Sequence, residues 1–592
     1  MRHTRERLLF TTGAVVVFVY ILLRALLVPI IHDEARTFQV FVATGDFLPF
    51  HAAWDAGNHV LATALAQVSY ALFGPGLLSL RMWSVLAFVL YARYTWLLGG
   101  GITSSMVRWC TWSALLCTPF LLDFFSLFRG YGLAMAFLLM SVHHAARFVE
   151  LGTTRQLAVA LFAFALAAFG SLSLLLMWCA LVALSLLLTG IRKATSRERV
   201  LQFVTTVLLG ALPLAYAALF SIGLSEHGAL YFGSEDGLFQ GTLRSLAYYV
   251  LGSDHVIVLL LVTVISFAVI AVAVGEWRKA LAEPRAALMA TCAALVVADL
   301  SGRVVLGEGS GVLYPTDRTA MQLVPLFLLL FGGAIDHVAR RAPTMRMAAL
   351  LILVFPLRVA FTANLDRTSY WPEQAIPDSF FRIAQEKQRS LDRPLMIGAY
   401  HQLPSCWRYG NMVRGIVANE LDATDFPHAG CDLLMIDTTF MRPPSGFRTI
   451  ASAATGHNVL MERIKPLHTA LVLDSSYVVA PTDVEFIELW KGPTAAFNGR
   501  EAFVEWSGVI SAEVAPSAVI VLEVSDAHGQ HLHYEKVEMA RGRWSGPRMP
   551  LHVALRLPPL AGSRIAFYIF NQKRERLGIG SAQLGVHAIT DR

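Results

Sequence analysis

Hydrophobic residues dominate the chain from Leu8 to Phe361 and then give way to a mixed pattern that continues to Arg592. In the first part, apolar runs long enough to cross a hydrocarbon core of about 30 Å alternate with short polar loops. The pattern predicts about eleven membrane-spanning helices, at residues 8–31, 77–98, 109–127, 132–149, 157–170, 171–190, 200–222, 255–275, 286–306, 320–335 and 347–361. Residues 1–361 are therefore predicted to form a polytopic α-helical membrane domain.

Three local features qualify this pattern. The first span contains Arg24, which must either reach the membrane surface or face protein. Residues 157–190 are short for two spans, and Gly170 and Ser171 mark the expected bend between them. The run from Val60 to Phe73 is short for a span of about 20 residues and is predicted to lie on the membrane surface.

The basic loops predict the orientation. If residues 60–73 do not cross, the loops at 143–155, 191–199, 276–285 and 336–346 all fall on the same side as the basic N-terminus. The positive-inside rule places that side in the cytoplasm. An odd number of spans then places the C-terminal region on the outer side of the membrane.

The C-terminal region has two patterns. Residues 362–467 combine a helical segment at 379–391 with strand-like segments at 394–400 and 431–437, which predicts a small α/β region. From residue 468 to residue 592, short strands separated by turns predict a β-sandwich. The predicted fold class is therefore a polytopic α-helical membrane domain followed by a periplasmic α/β plus β-sandwich region.

Tryptophans and cysteines add two expectations for this region. Trp490, Trp506 and Trp544 are candidates for stacking on sugars, with burial in the sandwich core as the alternative. Cys406 and Cys431 are expected to form a disulfide in an oxidising periplasm.

Composition narrows the functional class. Charged residues make up 15% of the chain, against roughly 25% in soluble domains, and 55% of residues are hydrophobic. The net charge of +6 lies largely in loops whose charge the topology explains, so a nucleic-acid partner is not expected. The sequence contains no P-loop, no GxGxxG following a strand and no HExxH motif.

Polar side chains concentrate between His32 and His59, directly after the first apolar run. An acid beside a second acid at a membrane surface can have a raised pKa or can accept a proton from a hydroxyl. Asp33 is the candidate base or acceptor-orienting residue, and Glu34 would share that role, bind a metal or pair with Arg36. The alternative is that both acids only cap a helix.

Other outer loops are predicted at 123–131, 223–254 and 301–319. Arg129 and Arg318 lie at the outer ends of two spans, and with His59 they would suit a phosphate or diphosphate, because the guanidinium fork makes two parallel hydrogen bonds to such groups. The alternative for each arginine is interfacial snorkelling. The residues expected to support the acceptor or the loops are Arg36, Asp46, Asn58, Asp123 and Tyr131.

Several segments, in order along the chain, resemble the GT-C superfamily of polytopic glycosyltransferases. Asp33-Glu34-Ala35-Arg36 with Thr44-Gly45-Asp46 is similar to the DE[TA]R and SGD motifs in the first outer loop of the protein-mannosyltransferase and lipid A aminoarabinose-transferase branch. Asn58-His59-Val60-Leu61, continuing to Leu72-Phe73-Gly74, Leu80-Arg81 and Ser84, resembles the HPPLYY…LFG…LR…S segment, although His59 is not followed by Pro-Pro.

Two later segments extend this resemblance. Thr118-Pro119 and Phe128-Arg129-Gly130-Tyr131 are similar to the family's sP…aRpYa segment. Tyr314-Pro315, Arg318 and Pro325 resemble its P…RY…P segment, although Thr follows Arg318 where the family has Tyr.

The resemblance implies a GT-C-like transferase that uses a polyprenyl-phosphate sugar or a related lipid-linked donor. It implies that Asp33, with support from Glu34, activates or orients the acceptor hydroxyl, and that His59, Arg129 and Arg318 hold the donor phosphate. The acceptor would be a lipid, a glycan or a protein at the lipid bilayer. A divalent cation, Mg²⁺ or Mn²⁺, is a possible cofactor, although no spacing demands one.

Two other classes of function stay open. One is a secondary transporter or flippase of lipid-linked sugars, which would favour internal repeats and charges near the bilayer midplane. The other is a non-catalytic scaffold in cell-envelope glycan assembly, for which Asp33 would be dispensable.

Overall fold

A computed structural model describes residues 2–192, 195–400, 402–416, 418–423, 426–427, 430–494, 500–513, 516–539, 547–560 and 563–590. The chain forms two compact units. The first consists of Met1–Leu27 with Asp46–Leu365, and the second of Val28–Gly45 with Asp366–Arg592. The first half of the polar stretch that follows the first apolar run therefore groups with C-terminal residues.

The first unit is built from helices. Its α-helices are α1 (Arg2–Leu27), α3 (Val60–Phe73), α4 (Leu77–Gly99), α5 (Ser105–Leu116), α6 (Pro119–Phe125), α7 (Gly130–Leu151), α8 (Thr154–Gly170), α9 (Leu175–Ile191), α10 (Ser196–Thr206), α11 (Leu212–Glu226), α12 (Arg244–Leu251), α13 (Val256–Gly275), α14 (Pro284–Ser310), α15 (Leu323–Ala339) and α16 (Val354–Thr362). The π-helical segments Val207–Ala211 and Leu238–Leu243 and a 3₁₀ helix at Pro343–Leu353 continue into neighbouring α-helices.

Eight helical segments among the described residues are long and apolar enough to cross a membrane. They are Thr4–Leu27, Leu77–Gly99, Gly130–Leu151, Leu172–Ile191, Ser196–Glu226, Val256–Gly275, Pro284–Ser310 and Pro343–Thr362. Shorter apolar helices cover Val60–Phe73, Thr154–Gly170 and Leu323–Ala339. The prediction of a multi-pass, polytopic α-helical membrane domain is confirmed.

Three details concern the predicted spans and loops. The bend at Gly170 and Ser171 is confirmed, because α8 ends at Gly170. The continuous span predicted at 109–127 is wrong: α5 ends at Leu116 and α6 begins at Pro119, since Pro119 has no N–H and holds Thr118 in an extended conformation. The outer loop predicted at 301–319 starts too early, because α14 continues to Ser310 and ends at the left-handed Gly311.

The second unit contains a small α/β part. Helix α2 (His32–Thr37) continues into a π-helical turn, Phe38–Val42, and two further helices are α17 (Asp378–Arg389) and α18 (Leu403–Val413). Strands β1 (Ile397–Ala399), β2 (Leu433–Asp437), β3 (Phe447–Ser452) and β4 (Asn458–Arg463) form a sheet in the order β1-β2-β4-β3. Only β1 and β2 pair in parallel among these neighbours. The predicted α/β pattern is therefore confirmed.

The rest of the second unit consists of two four-stranded antiparallel sheets. Their strands are β5 (Thr469–Thr482), β6 (Phe486–Pro493), β7 (Ala502–Ser511), β8 (Val519–Ser525), β9 (His531–Glu538), β10 (Arg548–Leu557), β11 (Arg564–Phe570) and β12 (Leu577–Ile589). The sheet orders are β10-β7-β12-β5 and β6-β11-β8-β9. Buried side chains from both sheets, such as Val504, Val586, Leu522 and Phe567, share one hydrophobic core, which is the arrangement of a β-sandwich.

The aromatic and cysteine expectations have different outcomes. Trp506 is fully buried in this core and Trp490 packs against it, so core packing accounts for both, while Trp544 lies outside the described residues. The predicted disulfide is wrong, because Cys406 and Cys431 are both buried thiols that are not joined by a disulfide. Burial raises the pKa of each thiol, and the charges that raise it further differ: Glu34 and Asp33 for Cys406, Asp422 and Asp432 for Cys431. The two sulfur atoms therefore lie in different surroundings.

Candidate functional site

The structure gives the two acids of the first loop different environments. The Glu34 carboxylate is fully buried, and its Oε2 accepts the backbone N–H of Ile31, the N-cap of α2, at 3.2 Å. This is the reciprocal bond of a capping box, so Glu34 helps to start the helix. Asp33 is half-buried and Arg36 is exposed. Glu34 therefore helps to cap α2, its catalytic role stays a prediction, and Asp33 is the more accessible of the two carboxylates.

Helix α2 is fixed within the second unit by polar and aromatic contacts with α18 and the segments beside it. The backbone N–H of His32 donates to Gln374 Oε1 at 2.9 Å, and His32 Nδ1 donates to the carbonyl oxygen of Gln402 at 2.9 Å. Phe38 packs edge-on against Tyr409 with ring centroids 5.4 Å apart. The charges of Glu34 and Asp33 contribute to the raised pKa of the Cys406 thiol in α18. These contacts hold the Asp33 backbone in a defined position.

Two predicted phosphate ligands come together in the first unit. His59 is the N-cap of α3 and Arg129 is the N-cap of α7, and neither helix start has a side-chain cap. A Cβ atom on Gly130 would lie 2.8 Å from His59 Cβ and would collide with the Gly170 carbonyl oxygen. Glycine at position 130 is what lets the two helix starts and the end of α8 approach so closely.

The same contacts orient the His59 ring. His59 Nδ1 lies 2.8 Å from the Gly170 carbonyl oxygen, and the ring packs edge-on against Tyr131 at a centroid distance of 4.7 Å. Because a carbonyl oxygen only accepts, Nδ1 carries a proton. Nε2 therefore presents a lone pair in the neutral ring and an N–H donor in the imidazolium. Tyr131 thus supports His59 directly.

Arg129 is buried beside the same loop. Only 3% of the residue is exposed, and its carbonyl oxygen accepts the Ser84 hydroxyl at 3.3 Å. Its Nη1 would lie 3.9 Å from a Cβ atom on Gly57, whose N–H donates to Asp55 Oδ1 at 2.7 Å. Arg129 is therefore held in protein, so simple snorkelling to the membrane surface does not describe it.

The predicted supporting residues lie in several places. Asn58 is buried, and its amide donates to the Phe47 carbonyl oxygen at 2.8 Å, which closes the loop before α3. Asp46 is exposed at the start of that loop. Asp123, in α6, is buried and forms a 2.5 Å ion pair with Arg24 of α1. Arg24 therefore faces protein, and Asp123 joins two helices.

Arg318 lies on a different pair of loops of the first unit. It is half-buried in a 3₁₀ turn, Asp317–Ala320, and its guanidinium stands 4.0 Å from the centroid of the Phe232 ring. The preceding backbone is fixed by Ser245, whose hydroxyl oxygen accepts the Asp317 N–H at 2.9 Å. These contacts define the position of Arg318.

One charged pair near the helix starts at His59 and Arg129 was not singled out from the sequence. Arg303 and Asp299 form a 2.9 Å ion pair one turn apart on α14, and Arg303 Nη2 donates to the Ser173 carbonyl oxygen at 2.7 Å. The sequence signal was an arginine and an aspartate at i, i+4 spacing within an apolar span, where charged residues are functional candidates.

Metal binding has no direct support from the geometry. Among the residues that the model describes, no group of three histidines, cysteines or carboxylates is arranged to hold a metal ion. A role for Mg²⁺ or Mn²⁺ stays a prediction.

No family model matches the sequence, and no curated protein matches it. Among solved structures, the chain is similar to ArnT from Cupriavidus metallidurans in the apo state, with a TM-score of 0.42 and 15% identity over 78% of this chain and 98% of that chain. The same protein bound to undecaprenyl phosphate gives a TM-score of 0.41 and 16% identity, over 77% of this chain and 98% of that chain.

The chain is also similar to the arabinosyltransferase EmbB from Mycobacterium smegmatis, with a TM-score of 0.32 and 11% identity over 97% of this chain and 64% of that chain. Likeness at these levels does not by itself establish a shared activity.

Proposed function

We propose that this protein is a membrane glycosyltransferase that moves a sugar from a polyprenyl-phosphate donor to an acceptor hydroxyl at the periplasmic face of a bacterial inner membrane. One observation carries the proposal. The starts of α3 and α7, which have His59 and Arg129 as their N-caps, meet in the first unit, and neither start has a side-chain cap.

Two helix starts in contact create a site that favours an anion. The first N–H groups of a helix lack intrahelical partners, and the helix dipole makes that end positive. Two such ends lie together beside the Arg129 guanidinium, so a phosphate bound there would face both helix N-termini. Arg129 supplies a planar fork for two phosphate oxygens, and His59 adds a donor at Nε2 when it is protonated. Arg318 is proposed as a further phosphate ligand.

The chemistry asks little of the protein beyond position and charge. The bond between the sugar C1 and the phosphate oxygen breaks, a bond from C1 to the acceptor oxygen forms, and the acceptor proton passes to Asp33. The phosphate leaves with the bonding pair, and its growing charge is stabilised by Arg129 and His59. Burial strengthens this stabilisation, because the local dielectric is low.

The assignment of Asp33 as base draws support from the different environments of the two acids. Glu34 spends one carboxylate oxygen on capping α2, while Asp33 is half-buried and accessible. A carboxylate that takes a proton in the transition state contributes roughly 10²- to 10⁴-fold in rate. The acceptor is proposed to be a hydroxyl of a lipid, a glycan or a protein, with Mg²⁺ or Mn²⁺ as a possible aid to phosphate departure.

The test measures transfer of radiolabelled sugar from polyprenyl-phosphate donors in membranes containing the full chain. Asp33→Asn is expected to lose about 10²-fold or more of the transfer rate at matched expression. Asp378→Asn is the matched control, because Asp378 is also in the first turn of a helix of the second unit and is exposed. The control is expected to keep the wild-type rate.

Other outcomes would reject parts of the proposal. If the wild type and Asp33→Asn transferred sugar equally, the protein would be a glycosyltransferase whose base is not Asp33. If no label were transferred from any donor, while labelled lipid crossed the bilayer, the protein would be a flippase. If neither process occurred and Asp33→Asn had no cellular effect, the scaffold would be the better description.

A further inference from the structure

We infer that Arg303, held by Asp299, is a positioning residue for the phosphate site, acting through the turn that orients His59. The inference rests on the function proposed above. The two residues lie one turn apart on α14, inside a long apolar helix. Asp299 is fully buried, and 12% of the Arg303 side chain is exposed. An ion pair at this depth is expensive to maintain unless it has a defined task.

The pair reaches the break between α8 and α9. Arg303 Nε donates to Asp299 Oδ2 at 2.9 Å, and Arg303 Nη2 donates to the Ser173 carbonyl oxygen at 2.7 Å. Ser173 belongs to the 3₁₀ turn Leu172–Leu174, which follows the last residue of α8, Gly170. The guanidinium therefore joins α14 to this turn through two different nitrogen atoms.

A helix break within a membrane domain leaves carbonyl oxygens that need donors, because water is scarce there. At this break two side chains supply them: His59 Nδ1 donates to the Gly170 carbonyl oxygen and Arg303 Nη2 to that of Ser173. Between the two, the hydroxyls of Ser171 and Ser173 bond each other at 2.9 Å. The same turn is thus held by His59 on one side and by Arg303 on the other.

This arrangement couples Arg303 to the His59 ring. The Gly170 carbonyl oxygen fixes which ring nitrogen of His59 carries its proton and how the ring is turned. If the turn loses the bond to Ser173, the Gly170 carbonyl oxygen is free to shift, and Nε2 shifts with the ring. Displacements of about 1 Å are enough to impair a binding or reaction geometry. Arg303 acts through backbone and histidine, so its role is positioning.

A purely structural role is the competing explanation. In that case the pair only joins α14 to the α8–α9 break, and its loss would change stability without changing phosphate affinity in any variant that folds. The two explanations separate in a double variant, Arg303→Met with Asp299→Leu. Replacing both members of a buried pair by apolar residues is often neutral for stability, so this variant is expected to fold.

The experiment uses the full chain in detergent or nanodiscs and undecaprenyl phosphate as the probe. Thermal unfolding is measured at increasing probe concentration, because a ligand that binds the native state stabilises it by an amount set by its concentration and Kd. The double variant is expected to unfold near the wild-type temperature without probe and to bind about 10- to 100-fold more weakly.

Two further variants sharpen the result. Arg303→Lys keeps the charge but lacks the fork that reaches both partners, so its affinity is expected to fall between wild type and the double variant. Arg147→Gln is the matched control, because Arg147 and Glu150 form a helical ion pair at 2.8 Å on α7. The control is expected to keep wild-type affinity.

Each remaining outcome decides between the explanations. Wild-type affinity in the folded double variant would overturn the inference and leave a structural pair. If neither Arg303 variant folds, the pair is structural and the inference also falls. If undecaprenyl phosphate fails to stabilise even the wild type and no sugar transfer occurs, the proposed function fails first.

Discussion

Each unit of the molecule contains a buried arginine–aspartate pair, and the two pairs are built differently. In the membrane unit, Arg24 Nη2 reaches Asp123 at 2.5 Å, while Nη1 donates to the Asn364 carbonyl oxygen at 2.7 Å. In the second unit, Arg393 and Asp432 face each other fork to fork, with two bonds of 2.8 Å. The first pair joins helices, and the second is bidentate.

The surroundings of the second pair explain the difference. Asp432 also accepts the Met396 N–H at 3.1 Å, and Arg393 also donates to the Leu467 carbonyl oxygen at 3.0 Å. These are backbone groups beside strands, whose donors and acceptors need partners when they are buried. The membrane pair also serves a backbone group, the Asn364 carbonyl oxygen, but that bond is only partly buried, whereas the bonds to the Met396 N–H and the Leu467 carbonyl oxygen are buried. An apolar replacement of a buried ion pair is therefore expected to cost less stability when few buried backbone groups depend on the pair for their hydrogen bonds.

The largest expected effect comes from replacing only the arginine of either pair. Arg24→Met and Arg393→Met each leave a buried carboxylate without its cation, which costs about 3–5 kcal/mol of unfolding free energy. The double replacements are expected to recover different amounts of unfolding free energy in the two units. Arg24→Met with Asp123→Leu is expected to recover most of the loss. Arg393→Met with Asp432→Leu is expected to recover less, because it removes the partners of Met396 N–H and the Leu467 carbonyl oxygen.

Thermal or denaturant unfolding of the full chain measures this, with each single and double variant compared in the same detergent. Equal recovery in the two units would contradict the comparison. It would mean that the strand-side backbone groups find other donors and acceptors when the pair is removed.

A second contrast concerns arginines outside these pairs. Arg129 is buried at the start of α7 in the first unit, and Arg389 is exposed at the end of α17 in the second unit. Arg129→Gln is expected to lower transfer from a polyprenyl-phosphate donor by about 10²- to 10³-fold, because a positioned charge opposite the departing phosphate is removed. Arg389→Gln, the matched control, is expected to change transfer by less than about threefold, since an exposed charge is screened. If the control lost as much transfer activity as Arg129→Gln, the proposed phosphate site at the start of α7 would be wrong.

Patterns visible in the sequence predicted much of the fold. Apolar runs gave the membrane helices, and the small, polar dipeptide Gly170-Ser171 correctly marked a bend. The break at Pro119 was missed even though proline carries the signal, because the apolar run continues through it. Strand β12 has glycines that lower its β propensity, and it forms because it pairs with β5 and β7 on both sides.

The candidate site was predicted unevenly for a related reason. Residue type and loop position pointed to His59 and Arg129, and the structure places them at two helix starts that meet. The role of Glu34 as a cap needed the helix boundary, which a two-acid motif does not give. Arg303 was not singled out because the i, i+4 spacing of an aspartate and an arginine does not show which distant carbonyl oxygen the guanidinium reaches. The failed pairing of Cys406 and Cys431 shows the same limit, since sequence carries no distances.

The smallest expected effect depends on pH and belongs to the β-sandwich. Glu505, on β7, accepts from His552 Nε2 and His587 Nε2 at 2.8 Å each. Burial would raise the pKa of Glu505, but the hydrogen bonds from the two histidines outweigh it and hold the pKa at about 2, below the usual 4.5. Because the folded pKa is the lower one, the stabilisation is complete above pH 4.5 and is lost as pH falls toward 2.

This loss is expected to be at most about 3 kcal/mol, which is the free energy that corresponds to the gap between the two pKa values. Hydrogen–deuterium exchange of β7, β10 and β12, corrected for intrinsic pH dependence, should show local opening that grows between pH 4.5 and 2. Glu505→Gln should flatten that dependence, whereas Glu488→Gln should not, because Glu488 pairs with Lys491 on the exposed surface. The Glu505 carboxylate is half-buried on a sheet face, whereas the pairs Arg24–Asp123 and Arg393–Asp432 are deeply buried. If Glu505→Gln showed the same increase in exchange between pH 4.5 and 2 as the wild type, the pH dependence would belong to other groups.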